Sequence, residues 1–293
     1  MEFGIHTFVW NDGQSQKDIE QAMEATRAAG YAVLELPGLD PARFDLAGLV
    51  RRAEALDLKL AASAGLPPAC DVTSPDPETV RRGEAFLLEA VGVARDLGCS
   101  QMSGPIFSAH RKFDTLPDRD GWQRSADVLA RVAGVAKEAG VALCLELVNR
   151  YETNLINTVA QGLAYIADTG SDNIFLHLDT FHMNIEEADP VQAIRLAGRH
   201  IGYFHVGESN RGHLGSGCID FAPVFDALLE AGYDGIVSIE AFNPPALNDH
   251  LKAVCAIWRD VIGDNAAFAR HARTFMEMQH EAALRRAAAY GGA

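Results

Sequence analysis

The sequence predicts an α/β fold of the (β/α)8 barrel class, with additional helices at the C-terminal end. Three observations lead there. Short apolar runs alternate with longer amphipathic segments along the whole chain, the pattern of a parallel sheet covered by helices. The chain has 293 residues, more than the ~250 typical of eight strand–helix units. Four consecutive apolar runs in the second half end in a carboxylate or an imidazole. Residues from four strand ends converge on one point in a closed barrel, which decides against an open sheet. One domain over residues 1–293 is the simplest organisation.

Phe3 to Val9 reads as the first strand. Asp18 to Ala29 follows as a helix, with Ile19, Ala22 and Met23 on one face and Gly30 as its stop. Val33–Leu36 is the second strand, Leu46–Leu56 its helix, and Leu58–Ala62 the third strand. A long helix from Pro77 to Leu97 carries Phe86, Leu87, Ala90, Val91 and Ala94 as its core stripe. The fourth strand lies near Ser100–Ser103, and Trp122–Glu138 is the helix after it. In the fifth strand, Val141, Leu143, Leu145 and Leu147 alternate with Ala142, Cys144 and Glu146, a period of two. Thr158–Asp168, Ile174–Asp179, Pro190–Ala197, Ile201–Val206, Phe221–Ala231 and Ile236–Glu240 continue the alternation. Helices near Ala246–Ile262 and Asp264–Ala289 finish the chain before a fraying AAAYGGA tail. The long connection from Gly104 to Gly121 follows the fourth strand on the rim side, where a loop of that length commonly serves as a lid.

Composition narrows the function. Net charge is −15, which disfavours nucleic acid as a partner. No apolar run approaches the ~20 residues of a membrane span. The N-terminus runs straight into a strand, with Glu2 where a leader would carry positive charge, so a cytoplasmic location is expected. The 5 cysteines are widely spaced without CxxC, which suggests reduced thiols, with Cys144 as a small apolar filler inside the barrel.

The strand ends carry the chemistry. Glu146, Asp179, His205 and Glu240 close four successive strands. A carboxylate at the end of an apolar strand is expensive to bury unless paired or bound to a cation. Three carboxylates and one imidazole make a mainly oxygen site for one divalent ion, Mn²⁺ or Mg²⁺ with Co²⁺ as a further option. Glu152 follows Glu146 in the same rim loop, His182 follows Asp179 by three and Arg211 follows His205 by six, a common address from which they can grip a hydroxylated ligand. Gly212, Gly215 and Gly217 do not have the spacing of a phosphate loop and read as a flexible rim segment. Trp10, Ile106, Phe107 and Phe242 offer apolar surface to enclose the far end of such a ligand.

The runs ELVNRYETN, HLDTFHMNIEE, HVGESNRGHLGSG and IEAF resemble the ketose 3-epimerases. These are the D-tagatose, D-allulose (psicose) and L-ribulose 3-epimerases of the xylose-isomerase-like TIM barrels, and the resemblance covers essentially the whole chain. It implies a metal, usually Mn²⁺, on Glu146, Asp179, His205 and Glu240. It implies contacts from Glu152, His182 and Arg211 to the ketose C1–C3 oxygens, and a homodimer or homotetramer. The expected reaction is C3 epimerisation through an enediolate, with Glu146 and Glu240 as the acid–base pair. The competing readings are an aldose–ketose isomerase of the same superfamily, a metal-dependent phosphodiesterase acting on abasic DNA, and a non-catalytic sugar-binding protein. The single-imidazole ligand set and the acidic charge count against the phosphodiesterase.

Overall fold

The apolar runs pair in parallel with their chain neighbours, and the last pairs with the first, so the sheet closes on itself. The structure is a computed structural model and describes residues 1–290. The first half comprises β1 (Glu2–His6), α1 (Gln16–Ala28), β2 (Val33–Leu36), α2 (Leu46–Ala55), β3 (Lys59–Ser63), α3 (Pro77–Asp96), β4 (Gln101–Gly104) and α4 (Arg119–Glu138). Then come β5 (Ala142–Glu146), α5 (Val159–Thr169), β6 (Ile174–Asp179), α6 (Thr180–Glu186), α7 (Pro190–Ala197) and β7 (Ile201–Val206). The chain ends with α8 (Phe221–Glu230), β8 (Ile236–Ile239), α9 (Asp249–Val254) and α10 (Asn265–Tyr290). Most helices begin on a short polar side chain that takes up a free N–H. Asp76 and Asp189 do so with a proline in the first turn behind them.

The strand period of two sorts side chains to two cores. Leu34, Leu143, Leu145, Leu176, Phe204 and Val237 face outward into the main core against the helices. Val33, Ala61, Cys144 and Tyr203 face inward, with Phe175 and Ile236 packed on them, and fill the barrel as a solid floor. Cys144 thus sits as the expected filler, and burial pushes its thiol up to about 12. The floor is tight at Gly202. A Cβ there would lie 2.6 Å from the Phe175 Cβ and 2.7 Å from the Cys144 Sγ.

The structure departs from expectation at three places. The segment after β6, to which the sequence pattern assigns no element, forms a helix, α6; its seven residues are too few to display a period. The helix expected over Ala246–Ile262 is only α9, which ends as Cys255 leads into Ala256 at φ 53°. The last helix runs on through Ala287–Ala289 to Tyr290 rather than fraying; Gly291–Ala293 lie outside the described residues. Among the described residues no helix is long and apolar enough to cross a membrane.

Candidate functional site

Inward-facing positions above the floor turn polar toward the C-terminal rim. Glu146 and Asp179 are the last residues of β5 and β6, His205 lies one residue from the end of β7, and Glu240 follows β8. One donor atom from each lies within 4.8 Å of the others. Asp179 and His205 are fully enclosed, and Glu240 keeps 9 % of its surface exposed. The Nδ1 of His205 is 3.8 Å from the Glu146 Oε1 and 3.9 Å from the Glu240 Oε2, and it has no hydrogen-bond partner. Burial, then the neighbouring charge of Glu240, holds the Glu146 carboxyl well above the usual carboxylate range. Arg211 donates to Asp179 at 2.9 Å and approaches Glu240 at 2.7 Å, but one guanidinium faces three carboxylates. Three oxygen donors short of positive charge and one unpartnered imidazole nitrogen fit a hard divalent cation. A second group, Glu146, His177 and His205, shares two of these residues. His177 lies two residues before Asp179, one layer deeper, and neither of its ring nitrogens has a partner.

A polar network borders the ligand group. The Asn149 backbone N–H donates to His182 Nδ1 at 3.1 Å, and the Asn149 Nδ2 lies 2.9 Å from the same nitrogen. That bond makes Nδ1 the acceptor and leaves the proton on Nε2. Burial lowers the His182 pKa from its ordinary value, in keeping with a neutral ring. Its Nε2 is 3.7 Å from both the Glu146 Oε1 and the Asp179 Oδ2. Asn149 also donates to the Glu152 Oε1 at 2.7 Å, and His110 holds the other oxygen at 2.7 Å. Burial alone would raise Glu152; His182, His110 and Arg211 outweigh it and bring the carboxyl down to about 2. Arg211 is aimed by its backbone: φ is 58°, and the guanidinium lies 3.9 Å over the Phe181 ring.

A cavity of about 490 Å³ opens over Glu146, His205 and Glu240. The β4 loop lends Gly104, Pro105, His110 and Arg111 to its wall, and α9 adds His250, Leu251 and Val254, so the cover is shared between two segments. Across Val254 and Cys255 lies a second cavity of about 340 Å³, lined by Glu152, Arg211 and Phe242 among others. Phe242 therefore reaches the site, stacked on Phe8 with ring centroids 5.8 Å apart. The other three apolar residues expected there lie elsewhere. Trp10 is packed on α1, its Nε1 donating to the Thr26 Oγ1 at 2.9 Å. Ile106 and Phe107 are fully buried in the main core, Phe107 against Tyr165, because the β4 loop turns them toward the helices. None of the three lines either cavity. Sequence reasoning passed over Glu35, Asn149 and His177, and it places His110 in the Gly104–Gly121 loop without a role of its own. A glutamate in the otherwise apolar run VLEL was the one signal available for the first of them.

Comparison with known proteins covers nearly the whole chain. Residues 23–269 match the family model described as xylose isomerase-like TIM barrel. The L-ribulose 3-epimerase of Mesorhizobium japonicum is 50% identical over 284 residues, covering 97% of this chain and 96% of that protein. A solved structure of L-ribulose 3-epimerase superposes with a TM-score of 0.97 at 48% identity, over 99% of this chain and 97% of the other. The crystal structure of the Methylomonas sp. D-allulose 3-epimerase in complex with D-allulose matches with a TM-score of 0.92 at 37% identity. It covers 95% of this chain and 97% of that one.

Proposed function

The chain belongs to the ketose 3-epimerases of the xylose isomerase-like TIM barrel family, and from that premise we propose a metal-assisted proton transfer at C3 of a free ketose. It is an isomerase of the carbohydrate epimerase class. The observation that carries the mechanism is the convergence of Glu146, Asp179, His205 and Glu240 within 4.8 Å. These four would hold one divalent ion, Mn²⁺ foremost, with Mg²⁺ or Co²⁺ as alternatives. A cation bound there would neutralise negative charge developing on the substrate oxygens and so acidify the C3 proton.

The protein's own residues supply the rest. Glu146 and Glu240 stand on strands separated by β6 and β7, so they reach a bound sugar from different sides. One takes the C3 proton and the other returns a proton to the opposite face, which inverts the centre. Burial favours a protonated Glu146 whenever nearby positive charge is withdrawn, a property suited to a proton carrier. His182 presents an Nε2–H, and the Arg211 Nη2 lies 3.3 Å from it. Two donors cannot bond each other, but both can donate to one oxygen placed between them, as a ketose carbonyl or hydroxyl would be. Glu152, kept ionised by its neighbours, accepts from an adjacent sugar hydroxyl.

The names of the relatives, L-ribulose, D-psicose and D-allulose 3-epimerases, support a free ketose as substrate. The deciding experiment incubates the Mn²⁺-loaded protein with L-ribulose, D-tagatose and D-fructose and separates the products by chromatography. C3 epimers are expected. An aldose product would transfer the chain to the aldose–ketose isomerases, and no turnover of any ketose would overturn the proposal. A homodimer or homotetramer in the cytoplasm completes the reading, with light scattering as the check on assembly.

A further inference from the structure

Glu35 is the buried charge that the proposed reaction leaves without a task. It is fully enclosed inside the barrel, on β2, with its side chain directed at β7. Its Oε2 accepts from the His205 Nε2 at 2.7 Å and from the Tyr203 hydroxyl at 2.9 Å. Its Oε1 has no hydrogen-bond partner, and the His6 Nε2 stands 3.8 Å from it. Among the described residues no lysine or arginine pairs with it. A carboxylate in that position is costly unless positive charge elsewhere compensates.

His205 links it to such a charge. Its Nε2 is taken by Glu35, while its unpartnered Nδ1 faces Glu146 and Glu240. The ring therefore has one nitrogen fixed as donor and the other free to coordinate. A carboxylate behind a coordinating imidazole sets its tautomer, locks its orientation and raises its basicity. Tyr203 aims the carboxylate in turn, and the ring of His177 lies edge-on to His205 with centroids 4.1 Å apart, which restricts rotation.

We propose that Glu35 is a positioning residue for the metal centre, holding His205 with Nε2 protonated so that Nδ1 is presented to the ion. The proposal rests on the ligand set given above, and its test separates the two.

Mn²⁺ affinity is measured by calorimetry on chelator-stripped wild type and Glu35→Gln, with melting temperatures of both metal-free proteins taken alongside. The variant is expected to bind Mn²⁺ about 10–100-fold more weakly while the metal-free protein still melts cooperatively. The visible spectrum of the Co²⁺-loaded variant should shift, and saturating Mn²⁺ should restore much of kcat. Unchanged affinity overturns the proposal. Because the variant can fail to fold, the tautomer is also read by NMR in wild type labelled with ¹⁵N-histidine and loaded with diamagnetic Mg²⁺. His205 protonated at Nε2 supports the assignment, and protonation at Nδ1 refutes it. A wild-type protein that takes up no ion overturns the ligand set itself and the positioning role with it.

Discussion

Replacing Glu152 by glutamine should weaken the protein in a way that fades with acid. Glu152 is 14 % exposed at its side chain and is held by His110 and Asn149, each at 2.7 Å. Its carboxyl falls from the model-compound value of 4.5 to about 2 despite burial, because His182, His110 and Arg211 favour the charge. A group whose folded pKa is depressed contributes stability above its unfolded pKa and loses it as pH falls toward the folded one. A shift of that size corresponds to at most about 3–4 kcal/mol at pH 7, at ~1.36 kcal/mol per unit. With an unfolding entropy of ~2.1 cal/mol/K per residue, that is roughly 5 °C in Tm for a chain of this length. The contribution should be nearly intact at pH 5, decline below pH 4 and be about halved near pH 3. Urea unfolding of both chelator-stripped proteins, followed by circular dichroism at pH 7, 5, 4 and 3, measures the difference. A gap that stays constant from pH 7 to pH 3, or no gap at pH 7, would refute the view that these neighbours hold Glu152 ionised.

Further outcomes are expected. Stripping divalent metal should abolish epimerisation, and Mn²⁺ or Co²⁺ should restore it; full turnover by protein proven metal-free would contradict the ligand set. Glu146→Gln and Glu240→Gln, assayed at saturating metal with occupancy measured, should each lower kcat about 10²–10⁴-fold. In deuterated solvent the wild-type product should carry deuterium at C3, whereas complete retention of the original hydrogen at the earliest turnovers would exclude a two-base route. In the floor, Gly202→Ala should cost about 1–3 kcal/mol through overpacking against Phe175 and Cys144. Gly92→Ala, on a face of α3 where a Cβ meets nothing within 4 Å, should instead stabilise by about 0.5–1 kcal/mol. Equal effects from the two would show that the close approach at Gly202 is not a constraint.

The four ligand-type residues were legible because a strand repeats every two residues and a polar residue ending an apolar strand has few inexpensive explanations. The barrel followed from requiring those ends to meet. Glu35 was not legible in the same way. It sits one residue before the end of β2, and nothing local says that β2 faces β7 across the interior. Asn149 was hidden for a different reason: its backbone N–H, which any residue but proline supplies, makes one of its two contacts to His182. Trp10, Ile106 and Phe107 show the converse failure. Their nearness to the rim in sequence was informative, but whether a loop side chain turns toward the mouth or toward the helices is decided by packing with distant segments. The cavity wall draws on both the Gly104–Gly121 connection and α9, and nothing local in the sequence of α9 places it beside that connection.

Asp179 divides its two oxygens between unlike duties. Oδ1 accepts the Phe181 N–H and starts α6, and Oδ2 faces Arg211 and the ligand group. The helix it starts is the one that carries His182. Architecture and chemistry thus share one side chain, which narrows the routes by which descendants of this sequence can diverge. Asparagine would keep the cap and surrender a charge. Glutamate would keep the charge and, being a methylene longer, give up the reach of the cap. A lineage drifting toward another ligand therefore finds this position closed to single steps, while residues of the cavity wall such as Leu251 and Val254 remain open to them.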